Sequence, residues 1–519
     1  MRSLRFSWPV AMLTLLLCLP LVVVITAPLH APAPEWAHVR RNLLPGHLWE
    51  TILLLGGTLA ITLVLGVSTA WLVAACEFPL RNILRWALVL PLACPTYIAA
   101  YAYAALIGPT GSISIWRHER TGWRMDIMDL PGLCLVLAVV LYPYIYLGAR
   151  AAFAAGMSSH LDAGRLLGVG DLSRFFRIAL PLARPAISGG AVLVAMEVLN
   201  DYGAVKYFGI RTLTTGIFRS WAGLYDLGSA LRIGLVLLVM IAMLLWIERR
   251  ARGGSRHHVD QAPAARRRLT GAKAWAAPGW CLLVLIAGAV LPWSHLAADA
   301  MSFPLMTAIG EFLPALFATV GIASAAALIT LLASLVLVYA ERHGQGPAWM
   351  VQAAQLGYVI PGAVIAVGVM TVAGAIDRSQ YLSVTLIGGT GLLVYAFTVR
   401  FLAVAGQPLA GAIRQQDPAL DDAARLLGLS SLKIFFRVNL PILRPALLAA
   451  ATLVAIEVVK ELPLTLILRP FDLDTLSTRA FELARIEQLR EASVPALLIV
   501  LCGVVPVLLL DRITARLRS

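Results

Sequence analysis

Residues 161–186 read LDAGRLLGVGDLSRFFRIALPLARPA, and residues 421–446 read DDAARLLGLSSLKIFFRVNLPILRPA. Aligning 162–186 with 422–446 gives 15 identities in 25 positions, far above chance, so the chain is an internal duplication. Each copy is a polar island in an apolar chain. Of the 519 residues, 60% are hydrophobic and 13% charged, whereas soluble domains carry roughly 25% charged residues.

Outward from these islands lie apolar runs near 9–29, 49–75, 84–107, 131–150, 185–205 and 227–247. A second set lies near 274–296, 312–340, 350–374, 383–408, 444–468 and 491–511. A helix needs about 20 such residues to cross the hydrocarbon core. The reading is an all-α polytopic membrane protein with about 12 transmembrane helices in two parallel six-helix repeats. Their extents are 1–247 and 274–519, joined by a basic, Gly/Pro/Ala-punctuated linker over 248–273. Parallel duplicated halves are a transporter architecture. The first apolar run is longer than a signal-peptide core, which predicts an uncleaved first helix.

With the N-terminus cytoplasmic, alternation through the spans puts both islands, the linker and the C-terminus inside, along with most of the 42 Lys and Arg. That bias is the positive-inside pattern. The net charge of +14 therefore reads as membrane orientation, and the lack of a basic stripe with interleaved aromatics excludes nucleic acid. The six cysteines are dispersed through apolar segments without a CxxC pair, so neither a disulfide framework nor a zinc site is expected. His257 and His258, amid arginines in the linker, read as solvated residues.

Each island is expected to be a short helix, a glycine and a second helix. Ser159 with Asp162 forms a capping box, and Asp417 with Pro418 an N-cap and N1 proline. Gly168 and Gly428 terminate the first helices. Stretches 172–180 and 432–440 form the second, which Pro181 and Pro441 are expected to stop.

The pattern resembles the cytoplasmic EAA loop of binding-protein-dependent ABC importer permeases: Glu-Ala-Ala, three residues, Gly, nine residues, Ile-x-Leu-Pro. Here it reads Asp162-Ala163-Gly164, Gly168, Ile178-Ala179-Leu180-Pro181, and again Asp422-Ala423-Ala424, Gly428, Val438-Asn439-Leu440-Pro441. Asp replaces Glu in both copies, Gly164 replaces Ala and Val438 replaces Ile; the spacing is kept. The resemblance implies coupling helices, with Arg165 and Arg425 on them, that dock in a cleft of an ATPase subunit. Two copies imply two ATP-binding subunits. The chain carries no GxxxxGK[ST] loop, so ATP and Mg are expected to be used by the partner, with no cofactor bound by this chain. Nor does it carry HExxH or GxSxG, and it is expected not to be an enzyme.

Stretches 193–209, 453–469, 212–221 and 471–500 look like the ferric-iron branch of these permeases, which works with a periplasmic binding protein in the bacterial inner membrane. Thiamine, phosphonate, sulfate and polyamine permeases share much of the layout, and a secondary carrier is the rival of another class. Within the fifth spans, Glu197/Asp201 and Glu457/Glu461 form i,i+4 carboxylate pairs at matching places. Carboxylates at membrane depth are costly and usually face a polar pathway, and hard oxygen ligands suit a hard trivalent cation. The alternative is that they pair with Lys206 and Lys460 or bond between helices. Pro95 and Pro361 read as kinks in pathway helices. Tyr97/Tyr101 and Tyr142/Tyr146 read first as an interfacial aromatic belt. Loops 108–130, 206–226 and 469–490 are where the binding protein would dock. A metal site is not identifiable.

Overall fold

A computed structural model describes residues 8–123, 126–154, 168–252, 266–344, 348–379 and 385–518. Twelve principal helices, six in each half, run through the described residues. In the first half they are α1 (Trp8–Thr26), α2 (Leu44–Ala75), α3 (Thr96–Ile107), α4 (Leu130–Ala154), α5 (Leu180–Asn200) and α6 (Leu227–Arg252). In the second they are α7 (Ala272–Ser302, with a π-turn at Ile286–Val290), α8 (Leu305–Arg342), α9 (Gly362–Ser379), α10 (Thr390–Gln415), α11 (Leu440–Lys460) and α12 (Leu489–Arg518). Eleven helical segments among the described residues are long and apolar enough to cross a membrane. The only strands among the described residues are two-residue pieces: Cys76–Glu77, after α2, pairs in parallel with Arg267–Arg268, which ties the end of the linker to the first half.

Helices α2, α4 and α5 form the core of the first half, and α8, α10 and α11 that of the second. Threonines are buried among these helices. Thr62 and Thr69 in α2 donate to carbonyls of their own helix, at 2.8 Å to Thr58 and 2.6 Å to Leu65, so these two buried hydroxyls are satisfied. Small residues set the approach distances. A Cβ on Gly66 would lie 2.8 Å from Ile145 of α4, and one on Gly357 would lie 1.9 Å from the Val399 carbonyl of α10, the close packing that glycine permits between membrane helices.

The first helix of each half lies on the other half. Helix α1 packs against α9, where the Tyr395 hydroxyl of α10 donates to the Leu16 carbonyl at 2.6 Å. Helix α7 packs against α2, α3 and α4 as well as α12, with Trp280 Nε1 donating to Ser68 Oγ at 2.9 Å.

Two expected spans are interrupted. In place of one helix over 84–107, the chain forms Arg81–Ala87, a 3-10 turn Leu90–Ala93, and then α3. In place of one over 350–374 it forms Ala348–Ala354, a turn Gln355–Tyr358, and then α9. Pro95 and Pro361 stand just before the restart in each case, because proline supplies no amide to continue a helix but suits its first turn. They are breaks rather than kinks. The fifth spans are interrupted too: α5 ends at Asn200 and α11 at Lys460, with Asp201 and Glu461 extended (ψ 126 and 119) before short helices Gly203–Tyr207 and Pro463–Leu468.

Candidate functional site

The backbone of the second island, a helix–glycine–helix hook, is described throughout. Asp417 accepts the Ala419 amide at 2.9 Å and Pro418 opens the helix Pro418–Leu426. That helix carries Asp422, Ala423, Ala424 and Arg425, and Gly428 ends it at φ +78, a left-handed conformation that disfavours any side chain. Asp422 and Arg425 pair with each other at 3.3 Å on the exposed face. Asp421 pairs with Arg342 of α8 at 3.2 Å, and the same arginine donates to Gln416 at 2.8 Å. The hook is thus pinned to the end of α8. In the first hook, Asp162, Ala163, Gly164 and Arg165 lie outside the described residues, as do Ser159 and the linker pair His257 and His258; Gly168 has φ +72, matching Gly428.

The second helices do not stop at proline. The helix starting at Asp171 passes through a π-turn, Phe175–Ala179, straight into α5. The one starting at Ser431 passes through Phe435–Asn439 into α11. Leu180 donates its amide to Phe175 O, and Leu440 to Phe435 O, one residue further back than in an α-helix. The wider turn precedes Pro181 and Pro441, so each proline sits in the first turn of the next α segment, where no amide is needed. The second helix of each hook is therefore continuous with the fifth spanning helix of its half.

Each of these second helices is held by aromatic packing. Phe175 meets Trp71 of α2 edge-on at 5.0 Å, and Phe435 meets Tyr339 of α8 at 5.2 Å. The neighbours Phe176 and Phe436 face outward, as do Leu426, Leu427 and Leu432. Leu426 is 90% exposed. Exposed apolar surface of this kind is characteristic of a protein or membrane contact.

At their far ends α5 and α11 meet around a cavity of about 100 Å³, lined from both halves. That is room for a few waters or a partly hydrated ion. Glu197, Asp201, Glu457 and Glu461 all line it, as do Pro95 and Pro361. Two cations, Arg400 of α10 and Lys460, line it as well, leaving a formal excess of two negative charges.

The carboxylates divide by role. Asp201 accepts the Ala204 amide at 2.8 Å and the Thr96 hydroxyl, joining the start of α3 to the short helix after α5. Glu461 likewise accepts the Leu464 amide at 3.1 Å and faces Arg400 at 3.5 Å. The interruptions put these two residues past the helix ends, so neither continues an i,i+4 stripe. Glu197 accepts a hydrogen bond from the Tyr144 hydroxyl at 3.2 Å, and Glu457 pairs with Lys460 at 3.1 Å. Lys206 instead lies on the exposed surface beyond the cavity. Asn200 of α5 crosses between halves and accepts the Gly362 amide, the first of α9, at 2.9 Å. Among the described residues no group of three or more His, Cys, Asp or Glu is placed to hold a metal ion.

The tyrosines are not a belt. Tyr142 and Tyr146 are fully buried in α4 and donate to the Leu88 and Arg85 carbonyls at 2.9 Å each. They satisfy the backbone that the broken third span leaves open, as lipid-excluded irregular backbone requires. Tyr97 and Tyr101 are buried with hydroxyls that have no partner among the described residues, and Tyr97 lines the cavity.

Sequence reasoning missed Arg400, Tyr144, Tyr358, Asn200 and Thr96 at the cavity, and Arg342 and Asp421 at the hook. Arg400 carried a readable signal: it is a lone charge inside the apolar run 390–405, and such residues mark functional sites. Nothing in the sequence around Asn200 or Thr96 distinguishes them from ordinary helix-end residues.

Comparison with known proteins agrees with this architecture. The chain is similar to the Fe(3+)-transport system permease protein FbpB 2 of Haemophilus influenzae, with 25% identity over 90% of this chain and 89% of that protein. It is similar to the ferric transport system permease protein FbpB of Actinobacillus pleuropneumoniae, with 24% identity over 70% of this chain and 56% of that protein. The sulfate transport system permease protein CysW of Escherichia coli is 30% identical over 31% of this chain and 54% of its own length. The family model for the inner membrane component of binding-protein-dependent transport systems matches twice, over residues 62–253 and 348–519. With the duplicated hooks and the cavity shared between two six-helix halves, the chain belongs to that family, as a fused, two-repeat permease of an ABC import system.

Proposed function

We propose that this permease moves ferric iron, delivered by a periplasmic binding protein, and that two ATPase protomers drive it, one on each hook. The observation that carries the iron reading is the likeness to a ferric permease along nine-tenths of the chain. The chemistry of the cavity supports it. Carboxylate and phenol oxygens from Glu197, Glu457, Tyr144 and Tyr358 converge there, and hard oxygen donors suit a trivalent ion.

The sulfate permease match favours a second reading, an oxyanion met by Arg400 and Lys460. Both cations, however, are already paired with Glu461 and Glu457, and the lining keeps its negative excess.

In this reading residues 1–247 and 274–519 are the two repeats and 248–273 the linker, with both termini, linker and hooks cytoplasmic. Asp162, Ala163, Gly164, Arg165, Gly168, Leu180 and Pro181 form one coupling element. Asp422, Ala423, Ala424, Arg425, Gly428, Leu440 and Pro441 form the other. The exposed leucines and Phe436 beside the second helix are what an ATPase cleft would bury. Because the second helix of each hook is a lever continuous with α5 or α11, closure of the ATPases pulls directly on the helices that carry Glu197 and Glu457 and lead into Asp201 and Glu461. Glu197 and Glu457 pass the ion. Asp201, Glu461, Pro95 and Pro361 hold the broken helices that frame its path. ATP and Mg act in the partner, and this chain supplies no cofactor.

The test is ATP-dependent uptake of radioactive ferric iron into vesicles holding the assembled transporter and its binding protein, with metal and mass analysis of the purified binding protein. Uptake of iron and an iron-loaded binding protein are expected. A binding protein carrying sulfate, molybdate or a polyamine, with no iron uptake, refutes the iron reading and leaves the permease assignment standing.

A further inference from the structure

At the end of the bundle away from the hooks, each half opens a surface pocket between the start of its second span and the segment following its fifth. The pocket built mainly by the first half, about 520 Å³, is lined by its Lys206, Arg211 and Arg219 and by Arg485 reaching in from the second half, with no carboxylate. Glu50 pairs with Arg211 at 2.5 Å. Lys206, Arg219 and Arg485 are exposed and face no carboxylate within 4.0 Å among the described residues. The pocket in the second half, about 620 Å³, is lined by Glu311, Asp472 and Asp474 with Arg479. There Arg479 pairs with Glu311 and Arg469 with Asp474 and Glu482, and Asp472 is left exposed. Pseudo-equivalent pockets of one duplicated chain have diverged to opposite sign.

We infer that these two pockets orient the docking protein, the acidic surface of one of its lobes entering the Lys206–Arg219–Arg485 pocket and a basic surface of the other lobe meeting the Asp472 pocket. The inference rests on the importer reading above. A single pathway has one productive approach, but a duplicated permease offers two related by its pseudo-twofold axis. Opposite charges remove that ambiguity, because the reversed pose brings like charges together, the juxtaposition that interfaces use to reject wrong partners. Free charges on an open surface also steer encounter, an effect that weakens as salt rises.

Each pocket has an aromatic anchor beside it, of the kind that dominates interface energetics. Tyr225 is 90% exposed and held at φ +54, which is uncommon for a residue with a side chain. The Asp226 amide, donating to Ser220 O at 2.9 Å, holds the adjoining turn. Phe471, next to Asp472, is completely exposed. Backbone strain that presents an aromatic ring to solvent is retained where function uses it.

The experiment measures association of the solute-binding protein encoded with this permease to the assembled transporter in nanodiscs, across ionic strength. Variants are Lys206→Gln/Arg219→Gln/Arg485→Gln together and, separately, Asp472→Lys, each confirmed by unchanged extraction yield and gel-filtration elution. Both are expected to lower the association rate at low salt at least tenfold, and the triple variant to flatten its salt dependence. Single cysteines at Arg219 and Asp472 are expected to cross-link to different lobes. Parental rate and salt dependence in the triple variant, or cross-links from both sites to either lobe indifferently, overturn the inference. So does a parental transporter whose Arg219 pocket binds inorganic phosphate while the triple variant docks the binding protein normally. If the parental transporter does not bind the binding protein at all, the importer reading fails instead, and the pocket inference falls with it.

Discussion

Removing one member of the Arg400–Glu461 pair tests whether the cavity wall is held by charge. The groups are 3.5 Å apart, with side chains 8% and 6% exposed. Coulomb attraction at that distance, with an effective dielectric of about 20, amounts to about 5 kcal/mol before desolvation is counted. Arg400 also donates to the Ile360 carbonyl at 3.3 Å, just before Pro361, and Glu461 accepts the Leu464 amide. Arg400→Met therefore strands a buried carboxylate and a carbonyl at the broken ninth span, and Glu461→Gln strands a guanidinium. Each is expected to destabilise by about 3 kcal/mol, while the double variant, which leaves no unpaired charge, recovers at least half of the combined loss. The assay is denaturation by SDS in mixed micelles, followed by circular dichroism, for all four corners of the cycle. Single losses below about 0.5 kcal/mol that simply add in the double variant would refute the reasoning, because the pair would then be hydrated and unimportant to the wall.

Gly168→Pro with Gly428→Pro should abolish uptake while the protein still inserts, since both glycines sit at positive φ, which proline cannot reach; membrane fractionation plus transport decides it, and wild-type uptake would refute the lever. Glu197→Gln with Glu457→Gln should slow iron uptake at least tenfold with the ATPase subunits still bound; loss of the subunits on co-purification would show a structural role instead. Gly203→Val should disturb the contact between halves, because a Cβ there would lie 2.6 Å from Tyr97 and 2.8 Å from Leu462. Overpacking of that kind costs about 1–3 kcal/mol, and thiol labelling of a cysteine placed at Asn200 should rise from the outer side; unchanged labelling would mean that the two halves do not close there.

Much of the architecture was readable because it depends on composition and repetition: apolar length sets the number of spans, and the duplicated hook sets their parity. The breaks were not. Pro95 and Pro361 signalled disturbance, but a proline in an apolar run looks the same whether it bends a helix or ends one. The outcome here depends on Tyr142, Tyr146 and Asn200 supplying the missing hydrogen bonds from other helices. Asp201 and Glu461 looked like helix residues because they fall in apolar runs, although Gly203 and Pro463, two residues on, are the kind of residue that marks a terminus. Their side chains end α5 and α11 by capping the short helices beyond, Gly203–Tyr207 and Pro463–Leu468. That local choice is visible only once the backbone turns. Pro181 and Pro441 misled in the opposite direction: a π-turn absorbs each of them, and the sequence has no signal for one.

The exchange of first helices has its own consequence. With α1 seated on the second half and α7 on the first, each half carries a passenger that belongs to the other. Rocking about the pseudo-twofold axis must then stretch the connections from α1 to α2 and from α7 to α8. Those two tethers set a ceiling on how far the transporter can swing open, whatever force its motor applies.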